Sequence, residues 1–398
     1  MRQSASGPRF NRSRRTMLRT PPAHQPAATA RTALVAGATG IAGAALVDLL
    51  VRDGWTVLAL SRKGMPAPET PDSAEAAGSP VSGAGDRVVS VAADLTSPEN
   101  LAAALKNLHP THVFFTSWSR QETEAENIAV NSAMVANLLE ALEHAPLEHV
   151  ALMTGLKHYM GPFEAYGEGA MPDTPFSEDE PRLPVDNFYY AQEDVLMAAA
   201  ERQGFAWSVH RAHTVIGFAV GNAMNMGQTL AAQATLCREL GLPFIFPGSE
   251  TQWNSVTDMT DAGLLAEHMV WAATDPHTAN EAYNVVNGDV FRWRSLWPRL
   301  AEWFGVEPAG FDTAPRPLEE QMAGMDAAWE KLAADHGLVE RDLGRLASWW
   351  HTDADLGRKM EVLTDMSKSR LAGFTGYRRT EDAFTGLFAL LRAERLIP

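Results

Sequence analysis

The sequence predicts an α/β fold, a doubly wound parallel sheet followed by a smaller, mostly helical C-terminal region. Three observations carry this. A buried-strand run at 32–36 leads into three evenly spaced glycines, Gly37, Gly40 and Gly43, and then into a helical pattern ending at Arg52. Further short apolar runs alternate with longer helical stretches, the rhythm of parallel strands joined by crossovers. The chain has 398 residues and is 45% hydrophobic, enough for two domains or for one large unit with an appendage.

In chain order, Gly54 ends the first helix and residues 55–60 form the second strand. Residues 64–86 are rich in Pro, Ala, Ser and Gly and read as a mobile surface loop. Strands are expected at 87–91, 112–116, 148–154, 207–211 and 282–286, with helices at 122–142 and 190–202 between them. The chain then divides into a disordered tail, 1–30, a sheet domain, 31–220, and a C-terminal cap region, 221–398. Residues 255–290 of the cap region return to the sheet.

Charge is unevenly spread. The net charge is −16, yet residues 1–31 hold seven arginines and no acid, so the remainder is more acidic still. Such a body repels phosphate backbones and anionic membranes, which argues against nucleic acid or a membrane as partner. Cys237 is the single cysteine, which leaves no intrachain disulfide and no cysteine cluster for a metal. The histidines at 158, 210 and 213 lack metal-ligand spacing, so no metal is expected. Residues 13–18 look like a twin-arginine export signal, but the proline-rich stretch that follows is no apolar run. A cytoplasmic location is expected.

The glycine turn is the first chemical feature. Gly37 permits a tight turn after the strand, Gly40 lets the backbone approach a pyrophosphate, and Gly43 allows helix to pack on strand. Thr39 and Ile41 lie in the same turn, and the helix start offers free N–H groups to the phosphates. Ser61, Arg62 and Lys63 end the second strand, where an NAD enzyme usually carries an acid. Two cations there fit a 2′-phosphate, so NADPH is the expected cofactor. Asp94 follows the third strand and can accept from the adenine amine. Ser117 and Trp118 end the fourth strand, beside the nicotinamide half.

A Tyr-x-x-x-Lys pair, two side chains on one helix face, would suit an ordinary short-chain dehydrogenase. Here the fourth residue after Tyr189 or Tyr190 is acidic, Glu193 or Asp194. Lys157 lies elsewhere, in the stretch TGLKHYMGP directly after the fifth strand.

The stretches TGLKHYMGPFEAYG, EDEPRLPVDNFYYAQEDVL, WSVHRAHTVIGF and EAYNVVNGDVFRW, with the ending RLIP, resemble the progesterone 5β-reductase/iridoid synthase family of plants and bacteria. This family of atypical short-chain dehydrogenases/reductases reduces activated C=C bonds with NADPH. The resemblance runs from about Thr32 to Pro398 and implies a Rossmann fold, a homodimer and a small apolar enone or enal as substrate. It implies Lys157 and Tyr189 as the catalytic pair and accounts for the missing dyad. It also implies Asp94, Leu95, Ser117, Trp118, Val215 and the run Asn222, Ala223, Met224 as cofactor contacts, with Tyr189 beside the nicotinamide.

Four departures stand out: Met153 where glutamine is common, Ala212-His213 where proline usually follows His-Arg, His351 where plant members can have Phe, and a longer 64–86 loop. Trp118, Phe163, Met224 and His351 are the candidate substrate wall. The implied reaction is hydride addition to the β-carbon of an enone. Tyr189 donates to the carbonyl oxygen, while Lys157 favours the phenolate and stabilises the enolate. The alternatives are a nucleotide-sugar epimerase or dehydratase, and an NADPH-sensing regulator without turnover.

Overall fold

The computed structural model describes residues 31–65, 87–162 and 173–398. The expectations for the 1–30 tail, for 66–86 and for Phe163 lie outside the described residues.

Among the described residues seven parallel strands form the central sheet: β1 (Thr32–Ala36), β2 (Thr56–Ser61), β3 (Val88–Ala92), β4 (His112–Phe115), β5 (His149–Gly155), β6 (Ala206–Ala212) and β10 (Glu281–Val285). Their spatial order is β3-β2-β1-β4-β5-β6-β10, so the winding reverses between β1 and β4. In an open α/β sheet that reversal opens a crevice at the carboxyl ends of the strands, which is where ligands bind.

The β1 residues explain the double cover. Leu34 and Ala36 face one apolar layer, and Ala33 and Val35 face the other, all four fully buried. The first layer holds α2 (Pro98–Leu105), α3 (Glu124–Ala141) and α5 (Phe188–Gln203). The second holds α1 (Ile41–Arg52) and α8 (Ala262–Thr274). A strand buried on both sides reads as a continuous apolar run instead of an alternating one.

Helix starts differ slightly from expectation, for local reasons. α1 begins at Ile41 because extended Gly40 serves as its N-cap. α5 begins at Phe188, where the tyrosine-bearing helix is also expected to start, because the Asn187 side chain caps the Tyr189 amide. α2 was not expected; its signals are the Ser97 cap and Pro98 in the first turn. The Thr123–Glu126 capping box starts α3.

After β6 come the two-residue strands β7 (Val215–Ile216), β8 (Phe244–Ile245), β9 (Thr260–Asp261) and β11 (Pro308–Ala309), pairing β7 with β9 and β8 with β11. The helices α6 (Met226–Leu240), α7 (Glu250–Asn254) and α9 (Trp293–Phe304) belong to the C-terminal part. Trp293, Trp297, Phe384 and Phe388 anchor its separate apolar core. The short α4 (Lys157–Met160) follows β5 almost directly. Among the described residues no helix is long and apolar enough to cross a membrane.

Candidate active site

The glycine turn sits at the sheet's reversal. Gly37 has φ +89°, and its amide and that of Ala38 both donate to the Leu60 carbonyl. A Cβ on Gly37 would stand 2.5 Å from Ser117 Oγ, so β4 approaches this turn too closely for a side chain. Gly43 is a packing glycine: a Cβ there would collide with the Gly37 carbonyl oxygen. Gly43→Ala should therefore lower stability by about 1–3 kcal/mol, visible as an earlier urea midpoint.

A groove of about 1420 Å³ runs from this turn. At one end it is lined by Ser61, Arg62, Asp94 and Leu95, and at the turn itself by Gly37, Thr39 and Gly40. Asp94 Oδ1 accepts from the Thr96 amide at 2.9 Å and its hydroxyl at 2.8 Å. These bonds, with a smaller contribution from the Arg62 charge, hold the carboxyl below its usual range. Asn222, Ala223 and Met224 close the groove from the C-terminal part, and Asn222 Oδ1 accepts from the Met224 amide at 2.9 Å. Lys63 is exposed and does not line the groove. Gly43 lies beneath the turn, outside the lining.

Ser117, Trp118, Asn222 and Met224 also line a second cavity, of about 1060 Å³, so the two spaces are continuous. Lys157 and Tyr189 both face this second cavity, with Ile41, Met153, Val215 and His351 also on its wall. Asn187 connects the two candidate catalytic residues. Its Oδ1 accepts from the Tyr189 amide at 3.0 Å, while its Nδ2 donates to the Lys157 carbonyl at 2.8 Å. Glu124, at the start of α3, is a second joint. It accepts from the Phe188 amide at 2.7 Å and lies 3.6 Å from Lys157 Nζ. The buried ammonium also stands 4.7 Å from the Phe188 ring, which stacks on Trp118.

The Tyr189 hydroxyl packs over Gly155, where a Cβ would come within 3.2 Å of it. Burial, reinforced by the Glu124 charge, pushes the phenol's pKa up. Lys157 is paired with Glu124, and the same carboxylate disfavours a second negative charge nearby, which weighs against a phenolate. A phenol held protonated in this way keeps a hydrogen that it can donate.

Glu193, where a lysine would complete the ordinary dyad, is buried and paired with Arg182 at 2.9 Å and Arg211 at 3.6 Å. Glu124, Asn187, Asp258, Asp355 and Arg358 were not singled out from the sequence. Asn187 alone had a local signal, as the cap residue immediately before Phe-Tyr-Tyr. His213, noted as a departure and as lacking metal-ligand spacing, has its Nδ1 2.8 Å from Asp258 Oδ1 and lines the cavity.

Solved structures share this architecture at low identity. The UDP-glucose 4-epimerase of Thermus thermophilus aligns with a TM-score of 0.59 at 19% identity, over 91% of this chain and 99% of that one. The Bordetella bronchiseptica enzyme WbmG, in complex with NAD, gives 0.62 at 16%, over 94% and 97%. Closer relatives are (S)-8-oxocitronellyl enol synthase of Camptotheca acuminata and 3-oxo-Δ(4,5)-steroid 5β-reductase of Arabidopsis thaliana. The first is 37% identical over 377 residues and the second 36% over 376, each covering 92% of this chain and 93% of the relative. The description "PRISE-like Rossmann-fold domain" matches residues 33–398, and on these grounds the chain belongs to the PRISE family of Rossmann-fold proteins.

Proposed function

We propose that this oxidoreductase uses NADPH to reduce the C=C bond of α,β-unsaturated carbonyl compounds, with Tyr189 and Lys157 as its catalytic residues. The observation that carries the reading is their meeting on one cavity that continues into the glycine-turn groove. Relatives named as a steroid 5β-reductase and an oxocitronellyl enol synthase support the reaction class. The groove residues fit a dinucleotide: a turn too tight for any Cβ at Gly37, an open α1 start, and Arg62 at its far end. Structures of like fold that hold NAD support a nicotinamide dinucleotide.

When bound, the dinucleotide supplies a hydride for the substrate's β-carbon. Tyr189 donates its hydroxyl hydrogen bond to the carbonyl oxygen, which gains negative charge as the double bond is lost. The buried Lys157 ammonium adds positive potential at the same wall without giving up its proton, and Glu124 and Asn187 fix where it stands. Met160, Met224 and Trp118 give the cavity an apolar surface that excludes water while the enolate forms, and the α-carbon takes its proton from solvent afterwards, which completes the saturated product. The epimerase reading loses to Glu193, whose carboxylate holds Arg182 and Arg211 where that chemistry needs a lysine.

The test is NADPH oxidation with 2-cyclohexen-1-one and larger enones, followed by absorbance and product analysis. Enone-dependent oxidation with a saturated product is expected; oxidation indifferent to the enone would remove the reading. Cofactor choice has its own check. Arg62→Gln should weaken NADPH binding about 10-fold or more and leave NADH unchanged, since only NADPH carries the 2′-phosphate. Fluorescence titration with both dinucleotides measures it.

A further inference from the structure

In an ordinary Tyr-x-x-x-Lys dyad the lysine follows the tyrosine by one turn, so helix geometry alone sets their separation. In this chain the two candidate catalytic residues stand on different helices, Lys157 on α4 and Tyr189 on α5. Their separation is therefore set by whatever ties α4 to its surroundings. α4 has only four residues, and a single turn is not stable by itself.

The start of α5 supplies most of the ties. Asn187 donates to the Lys157 carbonyl at 2.8 Å, and the Phe188 ring lies 4.7 Å from the ammonium. The next carbonyl, that of His158, is one of the last of its helix, and such carbonyls have no partner within the helix. His158 is buried, so its carbonyl needs a donor from the protein. The Tyr190 hydroxyl donates to it at 2.5 Å and accepts from the Leu183 amide at 3.0 Å, which commits its single hydrogen to α4. The Tyr190 ring meets the His158 imidazole edge-on, with centroids 5.1 Å apart, and the Arg182 guanidinium lies 4.9 Å from the tyrosine's centroid. Arg182 is fixed in turn by Glu193 on α5, at 2.9 Å. One further tie leads to the sheet edge, where the Tyr159 hydroxyl donates to Asn284 Oδ1 at 2.7 Å.

We propose that Tyr190 is a positioning residue for Lys157: its hydroxyl holds α4 where the ammonium meets the cavity that Tyr189 also faces. Tyr190 itself is not on the cavity wall, so it acts only through α4. Two adjacent tyrosines thus divide the work, one facing the substrate and the other setting where its cationic partner stands. The inference rests on the reading of Lys157 and Tyr189 as the catalytic pair, and part of its test does not depend on turnover.

The test uses the full-length protein and Tyr190→Phe, which removes one oxygen and keeps the ring. One lost hydrogen bond is a small part of a domain's stability, and titration with NADPH shows that the variant is folded. The first measurement is NMR of protein labelled with 13C at lysine Cε. The chain has six lysines, and the Lys157 signal is the one that disappears in Lys157→Met. The Phe188 ring makes that signal sensitive to where the side chain stands. Tyr190→Phe should move it and leave the other five in place. The second measurement is turnover of 2-cyclohexen-1-one with NADPH. Tyr190→Phe should lower kcat by about 10-fold, with KM and NADPH affinity within about 2-fold of wild type. Added to Lys157→Met, the same substitution should change kcat by no more than about 2-fold, whereas a merely structural role would cost the same factor in both backgrounds. An unmoved Lys157 signal overturns the proposal, as does wild-type kcat in Tyr190→Phe or an equal loss in the two backgrounds. If the wild-type protein reduces no enone, the functional reading falls, while the lysine signal still decides whether Tyr190 places Lys157.

Discussion

Tyr189→Phe should lower kcat for a cyclic enone by about 100- to 1000-fold, corresponding to about 3–4 kcal/mol, with little change in NADPH affinity. The substitution removes one hydroxyl and keeps the ring that packs beside Phe188, whose centroid lies 4.3 Å away. What is lost is a donor aimed at charge that grows only as the reaction proceeds, so the effect falls on kcat. Because burial and Glu124 raise the phenol's pKa, the wild-type tyrosine stays protonated through neutral and mildly alkaline pH. No limb assignable to tyrosine ionisation should appear there in the pH–rate profile. Stopped-flow measurement of the hydride step checks both expectations. Wild-type rates in the variant would end the role assigned to Tyr189.

Acid should destabilise the fold steeply, starting below about pH 6.5. His149, His158 and His268 are buried, and burial drives each pKa down to about 3 from an ordinary 6.5. A depressed histidine prefers to be neutral in the folded state. Above pH 6.5 both states are neutral and nothing is lost; below it the unfolded chain takes up protons that the folded chain refuses. Each group then removes about 1.4 kcal/mol of stability per pH unit until its folded pKa is reached. Three such groups over two pH units sum to about 8 kcal/mol, within the whole stability range of a typical domain. Two of them belong to one relay across the sheet. His149 Nε2 meets Ser208 Oγ at 2.8 Å, Ser208 meets His210 at 2.9 Å, and His210 meets His268 at 3.0 Å. Urea midpoints between pH 7 and 4.5 measure the slope. A midpoint that stays flat over that range would show that these rings tolerate charge.

Much of the fold could be read from local patterns. The strands around the glycine turn, the acidic residue four places after Tyr189, and the separate lysine all stand in short stretches of sequence. The parts that escaped notice are joined across long separations. Glu124 reaches the Phe188 amide over 64 positions, Arg358 reaches His213 over 145, and His213 meets Asp258 over 45. No spacing rule marks such partners, because only the winding of the sheet brings them together. The phenolate expectation overlooked a partner for a related reason. It counted the cation and missed the carboxylate that already neutralises it. Met153 and Val215 came from the family resemblance, and the structure sets both on the cavity wall.

The outermost parallel strand is laid down late. β10 pairs along β6 from Glu281 against Ser208 to Val285 against Ala212, long after β6 itself has been synthesised. On its inner end Asn284 accepts from the Tyr159 hydroxyl at 2.7 Å, next door to the candidate lysine. A nascent polypeptide that has emerged only as far as Ala212 therefore presents β6 as a bare edge, with hydrogen-bonding groups open to any neighbouring chain. During translation, the geometry around Lys157 waits on some seventy residues that no inspection of the nucleotide-binding half alone would connect with it.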